Sequence, residues 1–153
     1  MEERILIPLD GSKVGEAALE AVSGIVEKFK PDIKVEVTLM QVLTSLTHYV
    51  IAGEASVQVL YTENELSQIR KEVTDYLTKA GEDLKNKGAE IKIKIGSGPA
   101  AEEIIKAADE IDANLIAMST HGRSGLSRWA LGSVAEKVLR MSNRPVLVIR
   151  AKK

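Results

Sequence analysis

The chain has 153 residues, 44% of them apolar, 28% charged and only 3% aromatic, which suits a single domain with a core of Ile, Leu, Val and Ala. A formal net charge of −1 gives no electrostatic case for nucleic acid or a membrane surface, and the absence of cysteine excludes a disulfide framework, a thiol nucleophile and a Cys-based zinc site. No apolar stretch approaches the roughly 18 residues of a spanning helix, and the charged start Met1-Glu2-Glu3-Arg4 carries no signal-peptide pattern, so no membrane partner and a cytoplasmic location are expected.

Arg4 to Leu9 (RILIPL) is a nearly continuous apolar run, the pattern of a strand buried on both faces in a parallel sheet. It ends in Asp10-Gly11-Ser12, after which Ala17, Ala18, Ala21, Val22, Ile25 and Phe29 recur at helical spacing until Pro31 stops them. Lys34 to Leu43 (KVEVTLMQVL) is a second strand. Thr44 to Glu63 carries Tyr49, Val50, Ile51, Val57, Val59, Leu60 and Tyr61 without a clean period. A segment this long and apolar reads as a lid or subunit contact, with an extra packed turn as the alternative, and His48 within it reads as solvated.

Thr62 and Glu65 have capping-box spacing, and the longest helix follows through Leu66, Ile69, Val73, Tyr76, Leu77, Ala80 and Leu84 to Gly88. Glu90 to Ile95 (EIKIKI) alternates strictly, as on an edge strand guarded by its lysines. The run from Gly96 to Ala101 matches a loose dinucleotide pattern, G-x-G-x-x-A. That reading is rejected: Glu102 and Glu103 would sit in the first helical turn where a pyrophosphate belongs, Pro99 fits the first helical position, and no ribose acid follows the next strand. A helix through Ile104, Ile105, Ala108 and Ile111 leads to a strand from Asn114 to Met118. A further helix from Val134 to Arg140, stopped at Asn143, precedes the last strand, Pro145 to Ile149.

Between the fourth strand and the last helix lies residues 118–133, MSTHGRSGLSRWALGS. Glycines, hydroxyl side chains and arginines in one strand-to-helix loop describe a backbone that approaches an anion closely and donates to it, phosphate being the candidate. Ser133 and Glu136 also have capping-box spacing, so Ser133 reads equally as a helix cap. Arg123 and Arg128 suit terminal phosphates, a partner surface or plain solvation, and Trp129 suits packing or an interface.

Ser119-x-x-Gly122, nine residues, then Gly132-Ser133 resembles the motif G-x-x-G, nine residues, G-S or G-T of the universal stress protein family. The stretches ILIPLDGS, THGRSGLSRWALGSVAEKVLR and NRPVLVIR resemble that family as well, so the likeness runs from Arg4 to Arg150. It implies a single α/β domain, an open five-stranded parallel sheet of order 3-2-1-4-5 with helices on both faces, in keeping with the β-α alternation. The crevice between strands 1 and 4 is then the switch point where ligands bind.

In ATP-binding members the motif holds phosphates, so the resemblance implies ATP, with Mg or Mn carried on the phosphates and no protein side chain as metal ligand. The positions that match are Pro8, Leu9 and Asp10 at the adenosine end, Val42 beside adenine, and Met118, Ser119, His121, Gly122, Gly132, Ser133 and Val134 in the loop. It also implies a homodimer through strand 5, where Val146, Leu147, Val148 and Ile149 offer an apolar edge. Read from the residues alone, Asp10 is a turn aspartate bonded to the amides of Ser12 and Lys13, and Val42 is core. Ser119 is the departure, standing where the motif has glycine; a positive φ at that position would penalise it.

The expected function is an ATP-binding regulatory module of the stress response and not an enzyme. There is no G-x-x-x-x-G-K-[ST], no evident base and no arginine finger, and His121 has no group to orient it. A phospho-receiver domain would resemble this fold but would place an aspartate after the third strand, where Gly96-Ser97-Gly98 stands. A stress-response dimer that works without nucleotide is the alternative.

Overall fold

The computed structural model describes residues 1–120 and 131–151. In chain order these form β1 (Glu2–Pro8), α1 (Ala17–Val26), β2 (Lys34–Leu43), β3 (Thr47–Ala52), β4 (Ala55–Leu60), α2 (Glu63–Ala80), α3 (Glu82–Asn86), β5 (Glu90–Ser97), α4 (Ala100–Glu110), β6 (Leu115–Thr120), α5 (Ser133–Met141) and β7 (Val146–Arg150). Five strands make one parallel sheet in the order β5-β2-β1-β6-β7. Counted along the sheet strands alone, that is the expected 3-2-1-4-5.

The two-residue period of the strands sorts the core into two layers. Ile5 and Ile7 of β1 face one way, with Val37 and Leu39 of β2, and are covered by Ala18 and Val22 of α1, Leu77 of α2 and Leu84 of α3. Leu6, Met40 and Ile116 face the other way and are covered by Ile104 and Ala108 of α4 and Ala135 and Val138 of α5. Leu6, Ile7, Leu39 and Ile116 are fully buried, each worth roughly 1.5–3 kcal/mol relative to exposure. This double cover is why β1 reads as a nearly continuous apolar run.

Three elements differ from the sequence reading. Residues 44–63 hold an antiparallel hairpin, β3 on β4, joined by a turn with Gly53 at φ +67; the sequence shows no clean alternation there because both faces carry exposed apolar residues. The helix expected to run to Gly88 breaks at Gly81 into α2 and α3. A Cβ there would meet Leu39 Cδ1 and Ile91 Cγ2 at 3.0 Å each, so the glycine lets the helix pass close over the sheet. Pro99 is the N-cap of α4 and not its first helical residue.

The capping box of Thr62 and Glu65 is formed: Thr62 Oγ1 accepts from the Glu65 amide, and the Glu65 carboxylate accepts from the Thr62 amide. The edge lysines of β5 are paired, Lys92 with the buried Glu36 at 2.6 Å and Lys94 with Glu110 at 2.8 Å. No helix among the described residues is long and apolar enough to cross a membrane.

Candidate functional site

The site grows from the ends of β1 and β2. The Leu9 amide donates to Met40 O at 2.7 Å, which holds the chain beyond β1 beside the end of β2 and so brings Asp10 and Val42 to one place. Asp10 Oδ1 then accepts from the Ser12 amide at 2.9 Å and from Ser12 Oγ at 2.5 Å, and Ser12 Oγ accepts from the Gly15 amide at 3.0 Å. Asp10 is therefore a turn aspartate in its geometry, held by both groups of Ser12. Gly15 lies so close that a Cβ would stand 2.6 Å from Asp10 Oδ1.

Ser119 continues this network from the opposite strand. It sits in β6, paired with Ile149 of β7, and its hydroxyl donates to Gly15 O at 2.8 Å while accepting from the Ala18 amide at 3.0 Å. Helix α1 has no cap from its own N-cap residue, Glu16; Ser119 supplies one from across the fold. Asp112 is the one non-glycine residue with positive φ among those described. The expected backbone penalty at Ser119 is thus absent, because the residue is still within the strand.

At the other wall, Gly132 is the N-cap of α5 with φ 80, and Ser133 is the first helical residue. The N-cap position is thus a glycine, with no side chain of its own to cap the helix, and the capping box expected of Ser133 and Glu136 is not formed. The reason is the left-handed backbone at Gly132, which starts the helix one residue earlier than the sequence spacing suggests; Gly132 O accepts from the Glu136 amide at 3.0 Å.

Pro8, Leu9, Asp10, Val42, Met118, Ser119, Gly132, Ser133 and Val134 all line one cleft of about 660 Å³ at the C-terminal ends of the strands. His121 and Gly122, like Arg123, Arg128 and Trp129, lie outside the described residues. The cleft is also lined by residues the sequence reading did not single out, among them Gln41, Tyr61, Leu66 and Ile69. Gln41 had left a signal: it interrupts the apolar run Leu39-Met40-Gln41-Val42-Leu43, and its Oε1 is buried with no hydrogen-bond partner among the described residues. Tyr61 stacks on His48, centroids 4.6 Å apart, with His48 Nε2 3.9 Å from Glu65 Oε1, so His48 is a ring contact at the hairpin root rather than a merely solvated side chain.

A larger groove of about 990 Å³ runs along α1, α3 and the end of β7. Its polar groups satisfy one another: Ser23 Oγ donates to Asp83 at 2.6 Å and accepts from Lys87 at 2.5 Å, and Lys87 meets Glu27 at 2.9 Å. In the Gly96–Gly98 turn, Glu103 fills the space a pyrophosphate would need, with Oε1 3.4 Å from where a Cβ of Gly98 would lie, in keeping with rejection of the dinucleotide pattern. Between α2 and the start of α1, Tyr76 donates to Glu16 Oε1 at 3.2 Å; burial first, then the charge of Glu16, push its phenol well above the ordinary tyrosine range. Among the described residues no cluster of three metal-ligating side chains occurs.

Comparison with known proteins gives this geometry a context. The chain is 33% identical to the universal stress protein MJ0577 of Methanocaldococcus jannaschii, over 99% of this chain and 97% of that one. The solved structure of MJ0577 superposes with a TM-score of 0.76 at 30% identity, covering 99% and 97% of the two chains. A universal stress protein solved in complex with cAMP shares the fold at a TM-score of 0.67 and 18% identity, with 98% of each chain covered. One from Archaeoglobus fulgidus in complex with dAMP does so at 0.61 and 17%, covering 97% of this chain and 98% of that one. With the model of the universal stress protein family matching residues 1–150, the chain belongs to that family.

Proposed function

We propose that this chain is a regulatory module of the stress response that binds an adenine nucleotide, ATP by preference, in the cleft between β1, β2, β6 and α5. The observation that carries the reading is the convergence of Asp10, Val42, Ser119 and Gly132 on that one cleft from four separate parts of the chain. Its volume of about 660 Å³ suits a small-molecule site, which typically spans about 300–1,000 Å³. Asp10, Val42 and the apolar wall of Pro8 and Leu9 would hold the adenosine end. The amides that open α5 at Gly132 and Ser133, with His121 and Gly122, would hold phosphate, since N–H groups at a helix start attract anions. Mg or Mn would ride on the phosphates. The solved relatives bound to cAMP and dAMP support the adenine part of the reading. Binding is favoured over catalysis because Asp10, the acid at the strand end, is engaged in holding its turn.

The nucleotide-free alternative drew its strength from strain at Ser119, and the extended backbone there removes that objection. We also infer a homodimer through β7, an end strand of the sheet whose Val146, Leu147, Val148 and Ile149 remain half-buried and whose outer edge would pair antiparallel about a two-fold axis.

Calorimetric titration with ATP and magnesium, adenosine and tripolyphosphate tests the nucleotide reading. Asp10→Ala should weaken ATP and adenosine and spare tripolyphosphate. Gly132→Val should cost ATP ~1–3 kcal/mol, the scale of a lost hydrogen bond to a charged group and a factor of roughly 5 to 150. No heat with ATP at millimolar concentration would end the reading; equal affinity for Gly132→Val would move the phosphates elsewhere.

A further inference from the structure

The cleft straddles the C-terminal edge of the sheet, because consecutive residues of β2 point to opposite faces. Val42 packs against the cluster of Ile104 and Met118 on the α4 and α5 side. Leu39 and Leu43, two residues to either side of Gln41, belong to the other layer with Leu9 and Ile69. Gln41, opposite Ile95 of β5, therefore faces that second layer, and it lines the cleft there with Leu9, Tyr61, Leu66 and Ile69.

In that apolar wall Gln41 is the anomaly. Its Oε1 is buried with no hydrogen-bond partner among the described residues, and the side chains of Leu9, Leu66 and Ile69 have no donor to offer it. Thr38 Oγ1 is the other atom of this kind among the described residues, but Thr38 is not among the residues that line this cleft. A buried acceptor without a donor weakens the fold, so a ligand that brings a donor to Gln41 removes a penalty the free protein carries. The carboxamide sets an acceptor and a donor side by side in one plane. The ligand that fits it has a donor next to an acceptor on the edge of a flat, otherwise apolar body, since the rest of this wall is aliphatic apart from Tyr61, whose ring is stacked on His48. The 6-amino group and N7 of adenine are such a pair, and glutamine takes both together. A 6-oxopurine presents acceptors at both positions, so its O6 would face Oε1 with no proton between them.

We propose that Gln41 selects the base: its Oε1 accepts from the 6-amino group of adenine and its Nε2 donates to N7, so the cleft takes 6-aminopurine nucleotides in preference to 6-oxopurine ones. This rests on the reading of the cleft as a nucleotide site and adds the residue that decides which base enters it. A base laid across the end of β2 meets Val42 on one side and the carboxamide on the other. Calorimetric titration with magnesium and, in turn, ATP, ITP, 7-deaza-ATP and tripolyphosphate tests it. Wild type should bind ATP roughly 5- to 150-fold more tightly than ITP, the discrimination of one bidentate base contact. Binding of 7-deaza-ATP, which keeps the amino group and lacks the N7 acceptor, should fall between the two. Gln41→Leu and Gln41→Met should erase the differences among the three nucleotides by weakening ATP, and should leave tripolyphosphate unchanged. Both should keep or raise the urea midpoint, because they remove a buried polar atom that has no partner. An ATP to ITP ratio that neither variant changes would overturn the proposal while leaving nucleotide binding in place. Equal affinity of wild type for ATP and ITP, or for ATP and 7-deaza-ATP, would do the same without any variant. No heat with any of the nucleotides would remove the nucleotide reading itself and this assignment with it.

Discussion

Ser119 joins β6 to the start of α1 across the fold. Its hydroxyl holds both the carbonyl before α1 and an amide in the first turn of α1, while Ser12 ties the same loop to Asp10. Ser119→Ala should lower stability by ~0.5–2 kcal/mol, the usual cost of losing a helix cap, as read in urea melts. Ser119→Thr, which keeps the hydroxyl, should restore most of it. Ser133→Ala is the contrast. Because Gly132 and not Ser133 is the N-cap of α5, that change should leave the urea midpoint where it was; a loss of a full capping contribution would show that the helix starts one residue later. Gly15 adds a steric constraint to its two backbone bonds: a methyl group 2.6 Å from Asp10 Oδ1 must displace the carboxylate, so Gly15→Ala should disturb the same end of the cleft as Asp10→Ala.

At the scale of elements, the connection after β2 decides how the helical face is laid down. Thr62 closes a reciprocal capping box with Glu65, and these bonds hold the Glu65 carboxyl below the ordinary range, the Thr62 amide contributing most. Thr62→Ala should cost ~1 kcal/mol in a urea melt, typical of losing such a cap. Gly81 then interrupts the helix where it crosses the sheet. Gly81→Ala would place a methyl group 3.0 Å from both Leu39 Cδ1 and Ile91 Cγ2. The gain expected of alanine over glycine in a helix should therefore not appear, and the melt should show a net loss. Tyr76 on α2 anchors this layer to the start of α1 through Glu16.

Over the whole molecule, ion pairs link strands and helices that are far apart in sequence. Lys34 of β2 bridges Glu2 of β1 and Glu90 of β5 at 3.0 Å each, and Arg144, just before β7, clasps Asp109 and Asp112 at the end of α4 at 3.1 and 2.6 Å. The hydrogen bond from Arg144, then its charge, holds the Asp112 carboxyl below its usual range, and Lys34 and Arg4 do the same for Glu2. A carboxyl whose folded value is depressed stabilises the fold above its unfolded value, about 3.9 for Asp, and that stabilisation is lost as pH falls through the folded value. Urea melts of wild type and Arg144→Leu should therefore differ most near pH 6 and converge as pH falls through about 4 toward 3; the gap should also narrow in high salt, since the two carboxylates are exposed.

By itself the sequence determined the parallel sheet, its double helical cover and the chain order of its elements, because burial on two faces writes unbroken apolar runs and amphipathic helices into local spacing that needs no partner to be read. It also marked Gly132 as a position of close backbone approach, since glycine carries its backbone demand locally, whereas Asp10 read by itself as a turn residue and was joined to the same candidate site only by the family resemblance. Only the tertiary structure decided that Ser119 caps α1, that Gln41 and Tyr61 line the cleft, that Gly81 breaks the long helix and that residues 47–60 form a ribbon standing off the body. Each of these depends on groups brought together from distant parts of the chain, or on a face left uncovered. Local periodicity cannot register such contacts: a hydroxyl or an amide has the same sequence signature whether its partner lies in solvent or on a strand a hundred residues away.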